Sequence, residues 1–134
     1  MYRGFHMALL AEAHLRAGNP NRALATLSDA LSITGTAGES WWEPELQRLR
    51  GMVLLSGGSV TEAEICFQQA MRIAQVQQAK SLELRAATSL ARLWGEQGRR
   101  EEARALLAPT YAWFTEGFDT TELKDAKAIL AELA

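Results

Sequence analysis

Apolar residues recur every three or four positions along most of the chain, in stretches of helical length separated by glycine, proline or serine. Strand-like alternation of apolar and polar residues is missing, and good helix formers such as Ala, Leu, Glu, Gln and Arg dominate. The pattern predicts an all-α chain of three helical hairpins at about residues 4–34, 40–78 and 81–116. One further helix is predicted at about residues 119–133.

The predicted hairpins share a repeat of 40 residues. Four sets of positions recur at this interval: Gly18, Gly58 and Gly98; Ala23, Ala63 and Ala103; Leu27, Phe67 and Leu107; Ala11, Gly51 and Ala91. Antiparallel helices approach closely only where a side chain is small, and glycine ends a helix easily because it tolerates the left-handed conformation. A repeated hairpin of this kind predicts a single domain, a right-handed α-solenoid in which each hairpin stacks on the next.

Local signals predict where the helices begin and end. Ser59 followed by Glu62 has the spacing of a capping box. Pro109 predicts a kink in the sixth helix, because proline removes a backbone hydrogen bond and clashes with the preceding turn. That helix is expected to continue to Gly117, with packed aromatic side chains at Tyr111, Trp113 and Phe114.

The last predicted helix, beginning at Asp119 or Thr120, has one apolar and one charged face, which is typical of the cap of a repeat array. The front of the array has no such cap, since Phe5 and Leu9 open it directly. The sequence therefore suggests a fragment of a longer chain. It also leaves open a homodimer formed through the uncapped N-terminal hairpin.

Composition narrows the class of protein. The chain has 134 residues, the length of one domain, and its net charge of −2 gives no bulk attraction to nucleic acid or anionic membrane. No stretch approaches the roughly 18 apolar residues of a membrane span. The single cysteine, Cys66, fits a reducing compartment and is expected to be a small buried hydrophobe. These features favour a cytoplasmic protein with no nucleic-acid or membrane partner.

The candidate catalytic and ligand motifs are incomplete. His6 and His14 are eight residues apart, too far along one helix to share a metal ion. The glycine-rich stretch at 35–40 lacks the Gly-Lys-Ser/Thr ending of a phosphate loop. Most carboxylates lie at predicted caps or helix surfaces. The sequence therefore predicts a protein that is not an enzyme and has no cofactor or metal.

The stretch Gln97-Gly98-Arg99-Arg100-Glu101-Glu102-Ala103 resembles the turn of a tetratricopeptide repeat, although the usual period of that family is about 34 residues. The segments 41–51, 79–87 and 111–120 are similar to the C-terminal repeat region of bacterial multidomain proteins. Those proteins are adenylate/guanylate cyclases or ATPase-containing transcriptional regulators. The resemblance implies a non-catalytic interaction or regulatory module of a bacterial signalling protein. Its partner would be a protein, a peptide or another domain of its own parent chain.

In such repeats the first helix of each hairpin lines a concave surface, which is the expected partner site. The residues proposed for contact are Glu12, Arg16, Arg48, Met52, Arg85 and Arg92, together with Trp41 and Trp42. Arg48, Arg85 and Arg92 form a candidate basic strip, suited to a carboxylate or an acidic peptide. The Lys/Asn clamp known in this superfamily is missing at these positions. A plain solvated surface with Glu–Arg pairs is favoured over an acidic-peptide groove, and a pocket that senses a small-molecule effector remains an alternative.

Trp41 and Trp42 are neighbours on a predicted helix, where successive side chains point about 100° apart. Both therefore cannot enter one core. One of the two is expected to pack between repeats, and the other is then available to a partner, because aromatic residues are common at interface hot spots.

Overall fold

The computed structural model describes the backbone of residues 12–14, 16–37, 43–115 and 120–134. Residues 12–14 and 16 are helical and lead into six helices with defined bounds. These are α1 (Pro20–Ala37), α2 (Glu43–Ser56), α3 (Val60–Gln77), α4 (Lys80–Glu96), α5 (Arg100–Ala112) and α6 (Thr121–Leu133). The described residues contain no strand. Each helix packs on the next, and α2 also contacts α4, as expected for stacked hairpins of an α-solenoid.

Glycine turns join the helices within each hairpin. Gly18, Gly58 and Gly98 have φ values of 80°, 89° and 82°, in the region that side chains disfavour. In each turn the next backbone N–H bonds back to the last helical turn, as from Ser59 N to Leu54 O at 2.9 Å. This is the glycine-terminated helix end that the 40-residue spacing predicts. Between hairpins, Gln78 adopts the same conformation at φ 57° without being glycine.

The close approach predicted at Gly51 is present between α2 and α3. A Cβ built on Gly51 would lie 2.6 Å from Phe67 Cε1 and 3.2 Å from the Ala63 carbonyl oxygen. Ala63 and Phe67 are fully buried, as are the equivalent Ala103 and Leu107 on α5. The absence of a side chain at Gly51 on α2 therefore leaves room for the Phe67 ring on α3. Ala23 and Leu27 occupy the same buried positions on α1.

The last helix covers one end of the core. Leu123, Ala126, Ile129 and Leu133 on α6 are buried in the cluster that α3, α4 and α5 share, and the opposite face of α6 presents charged residues to solvent. Arg104 on α5 donates a hydrogen bond to the Leu133 carbonyl oxygen. This bond satisfies one of the free carbonyl groups at the C-terminal end of α6. None of the helices in the described part of the chain is long and apolar enough to cross a membrane.

The capping box predicted at Ser59 and Glu62 is wrong. Ser59 precedes α3, but its side chain makes no capping hydrogen bond, and its carbonyl oxygen accepts from Ala63 N at 3.0 Å. The tight turn at Gly58 sets Ser59 at φ −85° and ψ 69°, away from the extended geometry in which an N-cap hydroxyl reaches the first turn. Thr120, predicted to begin the last helix, precedes α6 in an extended conformation and also makes no side-chain capping bond.

The prediction that the sixth helix reaches Gly117 with a packed Trp113 is also wrong. The corresponding helix, α5, includes Pro109 and ends at Ala112, where the chain tightens so that Phe114 N bonds to Tyr111 O at 3.2 Å. This early end turns Trp113 outward, and 58% of it is exposed. Tyr111 and Phe114 do pack against the core, as predicted. The kink at Pro109 stays a prediction.

Candidate partner-binding groove

Six of the predicted contact residues line one surface depression of about 270 Å³, which we call the groove. They are Glu12, Arg16, Arg48, Met52, Arg85 and Arg92. Thr88 and Ser89 of α4 complete its floor, and Thr121, Glu122 and Asp125 at the start of α6 form one wall. The structure therefore brings together predicted contact residues that are up to 80 positions apart in sequence, from Glu12 to Arg92. Trp41 and Trp42, and the Phe5 and Leu9 surface of the suggested homodimer, lie outside the described residues.

The floor of the groove is formed by equivalent helices of two successive repeats. Arg48 and Met52 are one turn apart on α2, and Arg85, Ser89 and Arg92 follow the same face of α4. Because α2 and α4 are the first helices of successive hairpins and contact each other, their polar faces lie side by side. Helix spacing and hairpin stacking together produce this surface.

Glu45, a buried carboxylate at the start of α2, binds two of the groove arginines. Arg48 donates to both of its oxygens, at 2.6 Å and 3.0 Å, and Arg85 of α4 reaches Oε2 at 2.6 Å. Burial by itself lowers the pKa of Arg48, but the hydrogen bond and charge of Glu45, with the more distant carboxylates of Glu12 and Asp125, raise it. The candidate basic strip is thus partly neutralised from within the chain, because one carboxylate is shared between two of its guanidinium groups.

Other contacts hold Arg48 and Arg85 further in place. Arg48 Nη1 lies 3.0 Å from the Met52 sulfur and donates to Ser89 Oγ at 3.4 Å, which links α2 to α4. Arg85 Nε lies 3.9 Å from Glu122 Oε1 on α6. Both arginines therefore act mainly as positioning groups that fix the three helices of the groove.

The sequence predicts Glu–Arg pairs on this surface but does not show which residues form them. The signal was in the repeat itself, since Glu45 and Arg85 are 40 residues apart and occupy the same position in consecutive hairpins. Opposite charges at one repeat interval face each other wherever the first helices stack in register. A comparison of charges at that interval would have predicted this ion pair.

Arg92 differs from the other groove arginines. Arg16 pairs with Glu12 at 2.8 Å, and Arg48 and Arg85 pair with Glu45, whereas Arg92 has no carboxylate partner within the described residues. It is exposed on α4. Its side chain also borders two further depressions beside the groove. An unpaired guanidinium at the meeting point of three depressions is the group most available to an anionic partner.

The second depression, of about 210 Å³, is mainly apolar and is called the apolar pocket here. Met52, Leu55, Phe67 and Leu93 supply its carbon surface, while Ser56, Ser89, Arg92 and Glu96 form the polar rim. The third depression, of about 380 Å³, lies between α4 and α6 beside Gly95. Met52, Ser89 and Arg92 border both the groove and the apolar pocket, so the two are continuous.

Reactive groups are sparse in the part of the chain that the structure describes. Cys66 is buried at 5% exposure, as predicted, and burial raises the pKa of its thiol, with a further increase from Glu62 and an opposing effect of Arg50. No cluster of three or more His, Cys, Asp or Glu side chains within the described ranges is placed to hold a metal ion.

The described helices define a protein built from stacked helical hairpins. Two segments of its sequence, residues 4–28 and 84–109, match the family model described as Tetratricopeptide repeat. The two matches begin 80 residues apart, which is two intervals of the repeat, so they fall on equivalent parts of the first and third hairpins. They support a tetratricopeptide-repeat family. No curated protein matches the chain, and no solved structure does.

Proposed function

We propose that this chain is a non-catalytic interaction module that binds a peptide segment of a partner protein along the groove. The observation that carries the proposal is the convergence of Glu12, Arg48, Met52, Arg85 and Arg92 on one continuous surface. Tetratricopeptide repeats generally mediate contacts between proteins, and the family match supports the same role here.

The geometry of the groove favours a peptide over a small molecule. The groove and the two depressions beside it join along α4, so that the whole surface is elongated. An extended segment can place alternate side chains into such depressions while it buries little of its backbone. Because Glu45 already holds Arg48 and Arg85, the floor is fixed before a partner arrives, which lowers the entropy cost of binding.

The resemblance of segments 41–51, 79–87 and 111–120 to bacterial repeat regions supports a more specific role. In this proposal the module serves a cytoplasmic bacterial signalling protein and holds either a separate partner or another domain of its own parent chain. Trp41 and Trp42 remain candidate contact residues in this role.

Selection of nonapeptides from a random display library tests the proposal. Peptides that bind are expected to shift the amide NMR signals of Met52, Ser89 and Arg92. A Ser89→Trp change places a bulky ring on the groove floor and is expected to weaken binding at least about tenfold, a loss of roughly 1.4 kcal/mol.

Ser81→Trp is the matched control, since Ser81 is an exposed position on the same helix that borders none of the three depressions. Unchanged melting temperatures would show that both variants keep the fold. Equal binding by the two variants, or a library that yields no binding peptide, would contradict the proposal.

A further inference from the structure

We propose that Arg92 and the apolar pocket form a two-point anchor for a partner segment that carries an internal Asp or Glu beside a large apolar residue. This inference rests on the proposed function and specifies the chemistry of its partner. It differs from the acidic-peptide groove expected from the sequence, because it assigns anion binding to one arginine instead of a strip.

The groove arginines differ in whether a carboxylate of the chain already binds them. A guanidinium group that already shares a carboxylate gains little from a second one, whose approach Glu45 would also oppose by like charge. Arg92 has no such partner among the described residues. A carboxylate of a bound partner therefore gains most at Arg92, where charge-assisted hydrogen bonds are available in a fork geometry.

The polar groups on the two sides of Arg92 along α4 differ in their effect on an anion. Ser89, one turn earlier on α4, accepts a hydrogen bond from Arg48 and keeps its own hydroxyl proton for donation. Glu96, one turn later, is an exposed carboxylate and repels an anion from that side. A partner carboxylate is therefore favoured at the Ser89 side of Arg92, where the groove and the apolar pocket join.

An apolar surface lies next to that position. Met52, Leu55, Phe67 and Leu93 line the apolar pocket, and Arg92 stands on its rim. A volume of about 210 Å³ is large enough for one Leu, Ile, Met or Phe side chain. Burial of such a side chain contributes roughly 1.5–3 kcal/mol, which makes the pocket a useful second contact.

The position of Arg92 argues for a carboxylate inside the segment and against one at its C-terminus. Depressions border Arg92 on both sides, with the groove toward Arg85 and the third depression toward Gly95. A chain that ended at Arg92 would leave one of these surfaces uncovered. A segment that passes across Arg92 can use both.

The test uses two random nonapeptide libraries, one fused at its C-terminus to the display scaffold and one with a free C-terminus. The unmodified chain is expected to enrich, from the fused library, peptides with Asp or Glu next to Leu, Ile, Met or Phe. Arg92→Gln is expected to abolish the acidic preference and weaken these peptides about tenfold or more. Arg92→Glu is expected to replace the preference with Lys or Arg, an outcome that a misfolded variant cannot give.

Two further variants separate the contacts. Leu55→Ala is expected to reduce the apolar preference and keep the acidic one. Arg72→Gln, at an exposed arginine of α3 that borders none of these depressions, is expected to leave both preferences unchanged.

Each other outcome contradicts a different part of the inference. Peptides that bind in the groove without an acidic preference, or with one that Arg92→Glu leaves intact, overturn the anchor while the interaction function stands. Enrichment from the free C-terminus library alone overturns the internal position of the carboxylate. A failure to enrich any groove-binding peptide overturns the interaction function itself, and the anchor with it.

Discussion

The contact between Gly51 and Phe67 yields a quantitative prediction about the stability of the stack. Gly51→Ala introduces a Cβ that would lie 2.6 Å and 2.8 Å from two ring carbons of Phe67. The ring is 1% exposed, and Ala63 O stands 3.2 Å from the same point, so neither side can yield freely. Overpacking of this kind costs roughly 1–3 kcal/mol.

The higher helix propensity of alanine partly offsets this cost. Alanine is favoured over glycine in a helix interior by about 0.8–1.0 kcal/mol. Because the clash involves a buried ring and a backbone atom, the upper part of the overpacking range applies, and a net loss of about 1–2 kcal/mol is expected. Urea denaturation followed by circular dichroism measures this loss directly, and thermal melting should fall by several degrees for a chain of this size.

Two further variants test the cause of the loss. Gly57→Ala is the matched control, because a Cβ there would meet only carbonyl oxygens at 3.6 Å and 3.8 Å, which is ordinary contact. Phe67→Leu removes the ring, and in the Gly51→Ala background it should cost less than it does alone. If Gly51→Ala matches or exceeds the wild-type stability, then helix propensity outweighs the clash and the close approach of α2 and α3 is refuted.

Three other features allow predictions of the same kind. Gly98→Ala forces an alanine to φ 82°, and no neighbouring atom would contact the added Cβ, so the backbone conformation alone accounts for the cost. The free energy of unfolding in urea should fall by about 1–2 kcal/mol, and by less in Gly98→Asn. Glu45→Gln leaves Arg48 and Arg85 without their charged partner and should lower the free energy of unfolding by about 2 kcal/mol. This loss is smaller than for a fully buried ion pair, because Arg85 is 31% exposed. An unchanged free energy of unfolding would show that the ion pair does not stabilise the fold. Burial raises the pKa of the Cys66 thiol, so the unfolded chain loses that proton first as the pH rises. The stability present below the unfolded thiol pKa, near 8.5, should therefore decline above it, and the decline should be smaller in Cys66→Ala, as measured by urea unfolding between about pH 7.5 and 10.

The parts of the fold that follow from local spacing were predictable. Gly18, Gly58 and Gly98 end helices because their own backbone conformation requires it, and Ala63 and Phe67 face Gly51 because a fixed interval repeats a fixed contact. Such features depend on the residue and its repeat position alone. The sequence therefore predicted the hairpins and their stacking.

The errors arose where a more distant part of the chain decides the local outcome. The carboxylate of Glu45 reaches both Arg48 and Arg85 only because α2 and α4 stack, so the sequence does not show which of the groove arginines are paired. The backbone hydrogen bonds of the turn at Gly58 set the φ and ψ angles of Ser59. The presence of a serine at this position does not reveal those angles. The outward turn of Trp113 depends on where α5 ends. In each case the residue type was compatible with both outcomes.

The shared carboxylate of Glu45 also links the position of α2 along its axis to that of α4. A slide of α2 along α4 by one helical turn is about 5.4 Å, enough to pull Arg85 out of hydrogen-bond range. The pair thus opposes sliding between two neighbouring repeats at the base of the groove. A ligand that required a different register of α2 and α4 would first have to break this ion pair.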